Sequence, residues 1–286
     1  MSQINEQEAL RKLQKEEFSI LVAFSDFCEA NELTWFLDSG TALGAMRHNG
    51  FIPWDDDIDV GMPRKDYEKL IAITKNKCEI APGFSVHTFN NTDNYAAFFL
   101  KIYKDKTEFL TEETKAADCK QGIFIDVFPY DLLPQNPQEA KKRATRSHKW
   151  QMLSYLYHSR SLTTPHKGNL GKVEKLVFSF SHILIKAAVS REFIQKKFDE
   201  CRKTPTLGNR YIAYAYPVLP GFDECVLLPP SKHFFEGKIF PVPRDLNRYL
   251  EISYGDWRTL PKPEERKTHL PIRLKFSDGT IYEPES

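Results

Sequence analysis

Four aspartates in five positions, Asp55, Asp56, Asp57 and Asp59, constrain this chain more than any other stretch. Carboxylates this close repel one another, so few folds keep them without a compensating cation. The flanks argue against a solvated acidic loop. Phe51-Ile52-Pro53-Trp54 precedes the run, and Ile58 and Val60 continue it into Gly61-Met62-Pro63. The pattern predicts a strand over Asp55–Val60. On it Asp55, Asp57 and Asp59 share one face, while Ile58 and Val60 turn to a core on the other. Carboxylates two residues apart on a rigid strand suit a hard divalent cation, Mg²⁺ or Mn²⁺. Shared with phosphate oxygens, such an ion neutralises the charge that develops in phosphoryl transfer.

Other residues gain weight from that run. Ser39-Gly40-Thr41 is expected between a strand and a short helix, where glycine lets the backbone approach a ligand and the helix start attracts anions. Asp126 is the only charge in the apolar run Gly122–Phe128, and a buried carboxylate must pair, protonate or bind metal. An ion pair with an Arg or Lys is the competing reading. With Asp57 and Asp59 present, a shared metal site is favoured, Asp126 either completing the shell or accepting a proton from an acceptor hydroxyl. Arg47, Lys101 and Lys104 are candidate phosphate contacts, because transfer needs cations around the leaving phosphate. His48 and His269 are candidates to orient substrate. Trp35, Trp54, Phe99 and Tyr103 are candidates to stack a base, with core packing the commoner role of such residues.

The rest of the chain reads in order. Apolar residues at helical spacing predict a helix over 6–31, a short strand at 34–37, a brief helix at 42–47 and another over 66–75. Residues 84–89 and 96–103 read as a hairpin around a polar loop, 107–111 as a further strand and 123–128 as a strand. Two long helices follow, over about 138–160 and 170–203, with a breaker loop at 161–171. The Pro-rich remainder, from 204 on, holds a loop-strand-helix unit made of Phe240–Pro243, Leu246–Tyr254 and Gly255–Trp257 in turn. Three regions result: a catalytic core over 1–136, a basic helical region over 137–203, and a C-terminal part over 204–286 that packs back on the core.

The net charge of +1 names no partner and gives no basis for nucleic-acid binding. Its distribution is uneven, however. Residues 138–203 carry 15 Lys and Arg against 5 Asp and Glu, which points to an anionic partner such as a nucleotide phosphate, a polyanionic acceptor or a membrane surface. Five scattered cysteines without a Cys-x-x-Cys pair imply neither a disulfide framework nor structural zinc. The polar start Met1–Glu6 is not a signal peptide, and the apolar stretch Leu176–Val189 is short of the ~20 residues a bilayer span needs. A cytoplasmic protein with peripheral membrane association is expected.

The run from Phe36 through Asp38-Ser39-Gly40-Thr41, Arg47-His48-Asn49-Gly50 and Trp54-Asp55-Asp56-Asp57-Ile58-Asp59-Val60 resembles the signature of the LicD family. That family includes bacterial phosphocholine transferases and is related to fukutin and the fukutin-related transferase. Lys101-Ile102-Tyr103-Lys104-Asp105, Phe124–Pro129, Phe240–Pro243, Tyr254-Gly255-Asp256-Trp257 and His269 resemble the family's later elements. The basic helices are not matched. The resemblance implies an α+β, nucleotidyltransferase-like mixed sheet flanked by helices, with an added helical region. It implies that Gly40-Thr41, Asp57, Asp59 and Asp126 take the places of the turn and metal carboxylates, with Arg47, Lys101 and His269 on substrate. The implied reaction moves phosphocholine from CDP-choline, or another group from a similar CDP-alcohol, to a sugar hydroxyl. The acceptor would be an anionic glycan or lipid-linked sugar, such as a teichoic-acid or lipopolysaccharide precursor. A true nucleotidyltransferase is the alternative.

Overall fold

A computed structural model describes residues 4–160, 168–203, 208–217 and 221–284, with residues 168–176 as backbone only. The first helix, α1 (Glu6–Ala30), is capped by Asn5, whose side chain accepts from the Glu8 amide at 2.9 Å. Its buried positions Leu13, Glu17, Ile20, Leu21, Phe24 and Cys28 recur at three- and four-residue spacing, so one stripe faces the sheet. β1 is only Phe36–Leu37, and α2 (Ser39–His48) starts at Ser39, earlier than its sequence suggested. Gly40 and Thr41 therefore lie in the first turn of a helix.

β2 is Asp59–Pro63 and leads directly into α3 (Arg64–Thr74). The predicted strand over Asp55–Val60 is thus corrected: Pro53 and Trp54 form a turn, and Asp55–Ile58 are irregular. Ile58 and Val60 are fully buried as expected. Pairing with β7 begins at Asp59 opposite Asp126, with the Asp126 amide donating to Ile58 O at 2.9 Å.

β3 (Glu79–Ala81), β4 (Phe84–His87) and β5 (Leu100–Lys104) form an antiparallel meander. The hairpin was legible, β3 was not, and residues 96–99 are irregular rather than strand. β6 (Glu108–Leu110) leaves the main sheet, α4 (Glu112–Ala117) follows, and β7 (Ile123–Leu132) returns to the centre. β7 runs four residues past its predicted end because it pairs parallel with β2 and antiparallel with β5 and, at its far end, β8 (Arg210–Ala213). Gly61 of β2 lets two aromatics close over the sheet. A Cβ there would come within 2.5 Å of the Phe36 ring and 2.8 Å of Tyr130.

The helical region is α5 (Pro137–His158), α6 (Gly168–Ala188) and α7 (Arg191–Arg202). The single helix expected over 170–203 is broken at Ser190, whose side chain accepts from the Phe193 amide and so starts α7. Of the breaker loop expected at 161–171, residues 161–167 lie outside the described residues, while 168–171 are helical. The helices are pinned to the core: Gln151 bonds Phe98 N and Ala96 O, Ser154 bonds Ala96 O, and Phe198 stacks on Phe98 at 4.3 Å.

In the C-terminal part, β9 (Phe222–Asp223) pairs with β8 and leads to α8 (Glu224–Leu227). β10 (Ser231–Phe235) and β11 (Lys238–Val242) form a hairpin, and α9 (Leu246–Tyr254) follows. β12 (Arg273–Lys275) and β13 (Ile281–Tyr282) complete a small sheet with β6. Among the described residues the main sheet has eight strands, in the order β1-β2-β7-β5-β4-β3, with β8 and β9 attached to β7. This is the mixed sheet flanked by helices, with an added helical region, that the sequence led us to expect.

Candidate active site

The parallel pairing of β2 with β7 sets Asp59 directly opposite Asp126. Two carboxylates on adjacent strands open the site, and the irregular segment before β2 brings two more. Asp38, Asp55, Asp57, Asp59 and Asp126 all line one cavity of about 580 Å³. Seven aromatic rings line it as well: Phe99, Phe128, Tyr130, Tyr155, Tyr216, Tyr249 and Tyr254. The wall draws on all three regions of the chain: α2, β2 and β7 from the core, Gln151, Met152 and Tyr155 from α5, and Tyr216, Tyr249, Ser253 and Tyr254 from the C-terminal part.

The acids sit in an environment that resists their charge. Burial, then Asp57 and Asp56, push Asp55 up to about 8. Asp57 is raised by burial and Asp56, and Asp59 well above the usual carboxylate range by burial and by Asp57, Asp126 and Asp38. Asp126 is pushed up to about 6 by burial, held from rising further by Lys101. The Lys101 ammonium lies 2.6 Å from Asp126 Oδ1 and 3.3 Å from the centre of the Phe124 ring. Burial and mutual repulsion disfavour the charged forms of these acids, and a divalent cation would offset both. As arranged, no three acidic, histidine or cysteine side chains among the described residues stand close enough together to hold a metal ion. The charge of the donor set fits a cation; the ligand shell is not preassembled.

Each predicted site residue has a definite place. Gly40 lines the cavity, and a Cβ on it would stand 2.9 Å from Asp55 Oδ2. Thr41 is buried and does not line the cavity. Its hydroxyl accepts from the Asp59 amide at 2.8 Å, fixing the start of β2. Arg47 donates to Trp257 O at 3.1 Å and lies in the field of Asp55, outside the cavity wall. His269 is exposed and faces Asp56 and Asp57, holding both below where burial alone would put them. Lys104 is not at the cavity, because it pairs with Glu16 and donates to Ser19 on α1. His48 lies edge-on to Trp54. Of the aromatic candidates, Phe99 lines the cavity. Trp35 is core, Tyr103 stacks on His87, and Trp54 lies under Arg266.

Sequence reasoning passed over three features. Asp38 caps α2 and is buried; both its oxygens accept from Tyr130 Oη at 2.9 Å, Tyr249 Oη donates to it, and the Ser39 amide bonds it at 2.8 Å. Burial raises its pKa and those hydrogen bonds oppose the rise. Glu17 of α1 is fully buried with neither carboxylate oxygen hydrogen-bonded, and is raised well above the usual range by burial and by Asp57, Asp56, Asp55 and Asp126. Its signal was available: an acid on the apolar stripe between Leu13 and Leu21. The aromatic lining had no local signal, since its members come from distant parts of the chain.

A Gly-bearing helix start, an acid-bearing strand and a further acid on the adjacent parallel strand converge on one cavity, as phosphoryl-transfer chemistry at a cation would require. Residues 32–166 match the family described as LicD/FKTN/FKRP, nucleotidyltransferase domain. The chain is accordingly an enzyme of the transferase class. It is 28% identical over 273 residues to the lipopolysaccharide cholinephosphotransferase LicD of Haemophilus influenzae, covering 91% of this chain and 95% of that protein. An uncharacterized protein of Rickettsia prowazekii is 24% identical over 164 residues, 52% of this chain and 60% of the relative. One of Rickettsia typhi is 50% identical over 36 residues, 13% of this chain and 12% of the relative.

Proposed function

We propose that the chain transfers phosphocholine from CDP-choline to a sugar hydroxyl of an anionic, lipid-carried glycan precursor, of the lipopolysaccharide or teichoic-acid kind, with Mg²⁺ or Mn²⁺ as cofactor. The observation that carries the reading is a single cavity lined by both five carboxylates and seven aromatic rings. A diphosphate needs a cation to approach carboxylates, and a trimethylammonium group, which has no hydrogen-bond donor, is held by aromatic faces. Asp57, Asp59 and Asp126 would hold the metal, which supplies charge neutralisation at the diphosphate.

The chain's own residues do the rest. Gly40 admits the donor to the start of α2, where backbone amides favour anions. Lys101, beside Asp126, adds positive charge next to the acidic wall. The acceptor oxygen bonds to the phosphorus that bears choline, the bridge to the second phosphorus breaks, and CMP leaves. The hydroxyl proton passes to a carboxylate of the acidic wall. With a lipid-carried acceptor, the enzyme works at a membrane surface. The likeness to the Haemophilus influenzae cholinephosphotransferase supports choline over ribitol or glycerol as the donor alcohol.

A donor screen tests this. Purified chain with Mg²⁺ or Mn²⁺ is expected to release CMP from CDP-choline in preference to CDP-ribitol or CDP-glycerol, and Asp57→Asn to lower the rate at least ~100-fold. Release of pyrophosphate would point to nucleotidyl transfer, and inactivity with all three donors and a purified acceptor would refute the reading.

A further inference from the structure

We propose that one face of α6 docks on an anionic lipid bilayer. Val177, Phe180, Ile183 and Leu184 are 55%, 63%, 58% and 53% exposed, and their spacing of three and four residues puts them on one side of the helix. The opposite side is the one that packs. His182 is buried there, and its Nδ1 donates to Leu156 O of α5 at 2.9 Å. Four neighbouring large apolar side chains left in water mark an interaction surface rather than scattered exposure.

Charge decides the occupant. Between Glu174 and Glu192 the sequence has no carboxylate, only Lys175, Lys186 and Arg191, and residues 138–203 as a whole carry an excess of +10. An apolar helix face on a segment of this net positive charge suits insertion among anionic headgroups. A second copy of the same segment would bring +10 against +10, which opposes self-association through this face. The position also suits the work at the cavity. α5, on which α6 packs, supplies Met152 and Tyr155 to the cavity wall, and Met152 and Tyr216 are exposed there. The inference goes beyond the proposed reaction and shares with it only the premise of a lipid-carried acceptor.

Co-sedimentation of the full chain with vesicles tests it. The wild type is expected to bind vesicles of phosphatidylglycerol mixed with phosphatidylcholine, to bind pure phosphatidylcholine weakly, and to be released as salt rises. Phe180→Glu combined with Ile183→Glu is expected to raise the lipid concentration for half-binding at least ~10-fold. Its thermal transition should be unchanged, since both side chains are exposed. Turnover of a water-soluble acceptor without vesicles should also be unchanged, so absence of turnover in both proteins refutes the proposed reaction and leaves the binding result standing. A wild type that stays in the supernatant, or a double variant that binds as tightly, overturns the inference. So does a wild type that is dimeric by light scattering while the variant is monomeric, which would assign the face to a second copy.

Discussion

Replacing Tyr249 by phenylalanine removes one buried oxygen and leaves the ring free to keep its stack on Phe222, 4.8 Å between centroids. That oxygen donates to the Asp38 carboxylate and accepts from the Ser39 amide at 2.9 Å. It thereby ties α9, in the C-terminal part, to the N-cap of α2. A hydrogen bond to a charged group contributes about 1.5–3 kcal/mol, and the lost acceptor for Ser39 N costs little because Asp38 Oδ1 still bonds that amide at 2.8 Å. Tyr249→Phe should therefore destabilise the fold by about 2–3 kcal/mol, lowering Tm by roughly 4–12 °C in a chain of this size. Tyr130→Phe should cost less, about 1–2 kcal/mol, because its one proton is shared between the two Asp38 oxygens. The double variant should cost more than the sum, because Asp38, buried to 2% exposure, then keeps only a backbone donor. Urea unfolding of the wild type, both single variants and the double variant gives the cycle. Tyr249→Phe within about 0.5 kcal/mol of wild type, or strict additivity, would refute the view of Asp38 as a shared buried acceptor.

Three further outcomes follow from the same geometry. Gly40→Ala should leave stability unchanged or raise it by up to ~1 kcal/mol, since alanine favours the helix, yet reduce transfer at least ~10-fold by displacing Asp55; equal activity in a kcat/KM measurement would count against the close approach at Gly40. His158 is buried and its pKa is pushed down to about 4, first by desolvation. Its native form is neutral while the unfolded chain takes up a proton below about 6.5, so its contribution is intact above that pH, falls as pH drops and levels off below about 4. The loss is roughly 2–3 kcal/mol, and denaturant melts across that range should show a shallower acid decline in His158→Gln. Ser190→Ala removes the cap that restarts the chain as α7 and should cost about 1 kcal/mol in urea unfolding, against no change for a substitution at exposed Lys196.

The sequence alone determined the members of the acidic wall other than Asp38, and most of the elements that carry them. Asp55, Asp57 and Asp59 lie within a few residues of one another, and Asp126 announces itself as a lone charge in an apolar strand. Local repulsion and burial rules act over short stretches and can be read without a fold. The helices of the core and the strand at 123–128 were legible for the same reason, from the spacing of their apolar residues. Tertiary structure decided what those rules cannot reach. Register between β2 and β7 placed Asp59 against Asp126. Packing of α9 on α2 made Asp38 a buried acceptor, and the meeting of α5, the end of β8 and α9 completed the aromatic lining. Ser190 ended a helix that periodicity alone would have continued. These are contacts between residues tens to hundreds of positions apart, and no local pattern encodes which distant side chain will supply the missing partner.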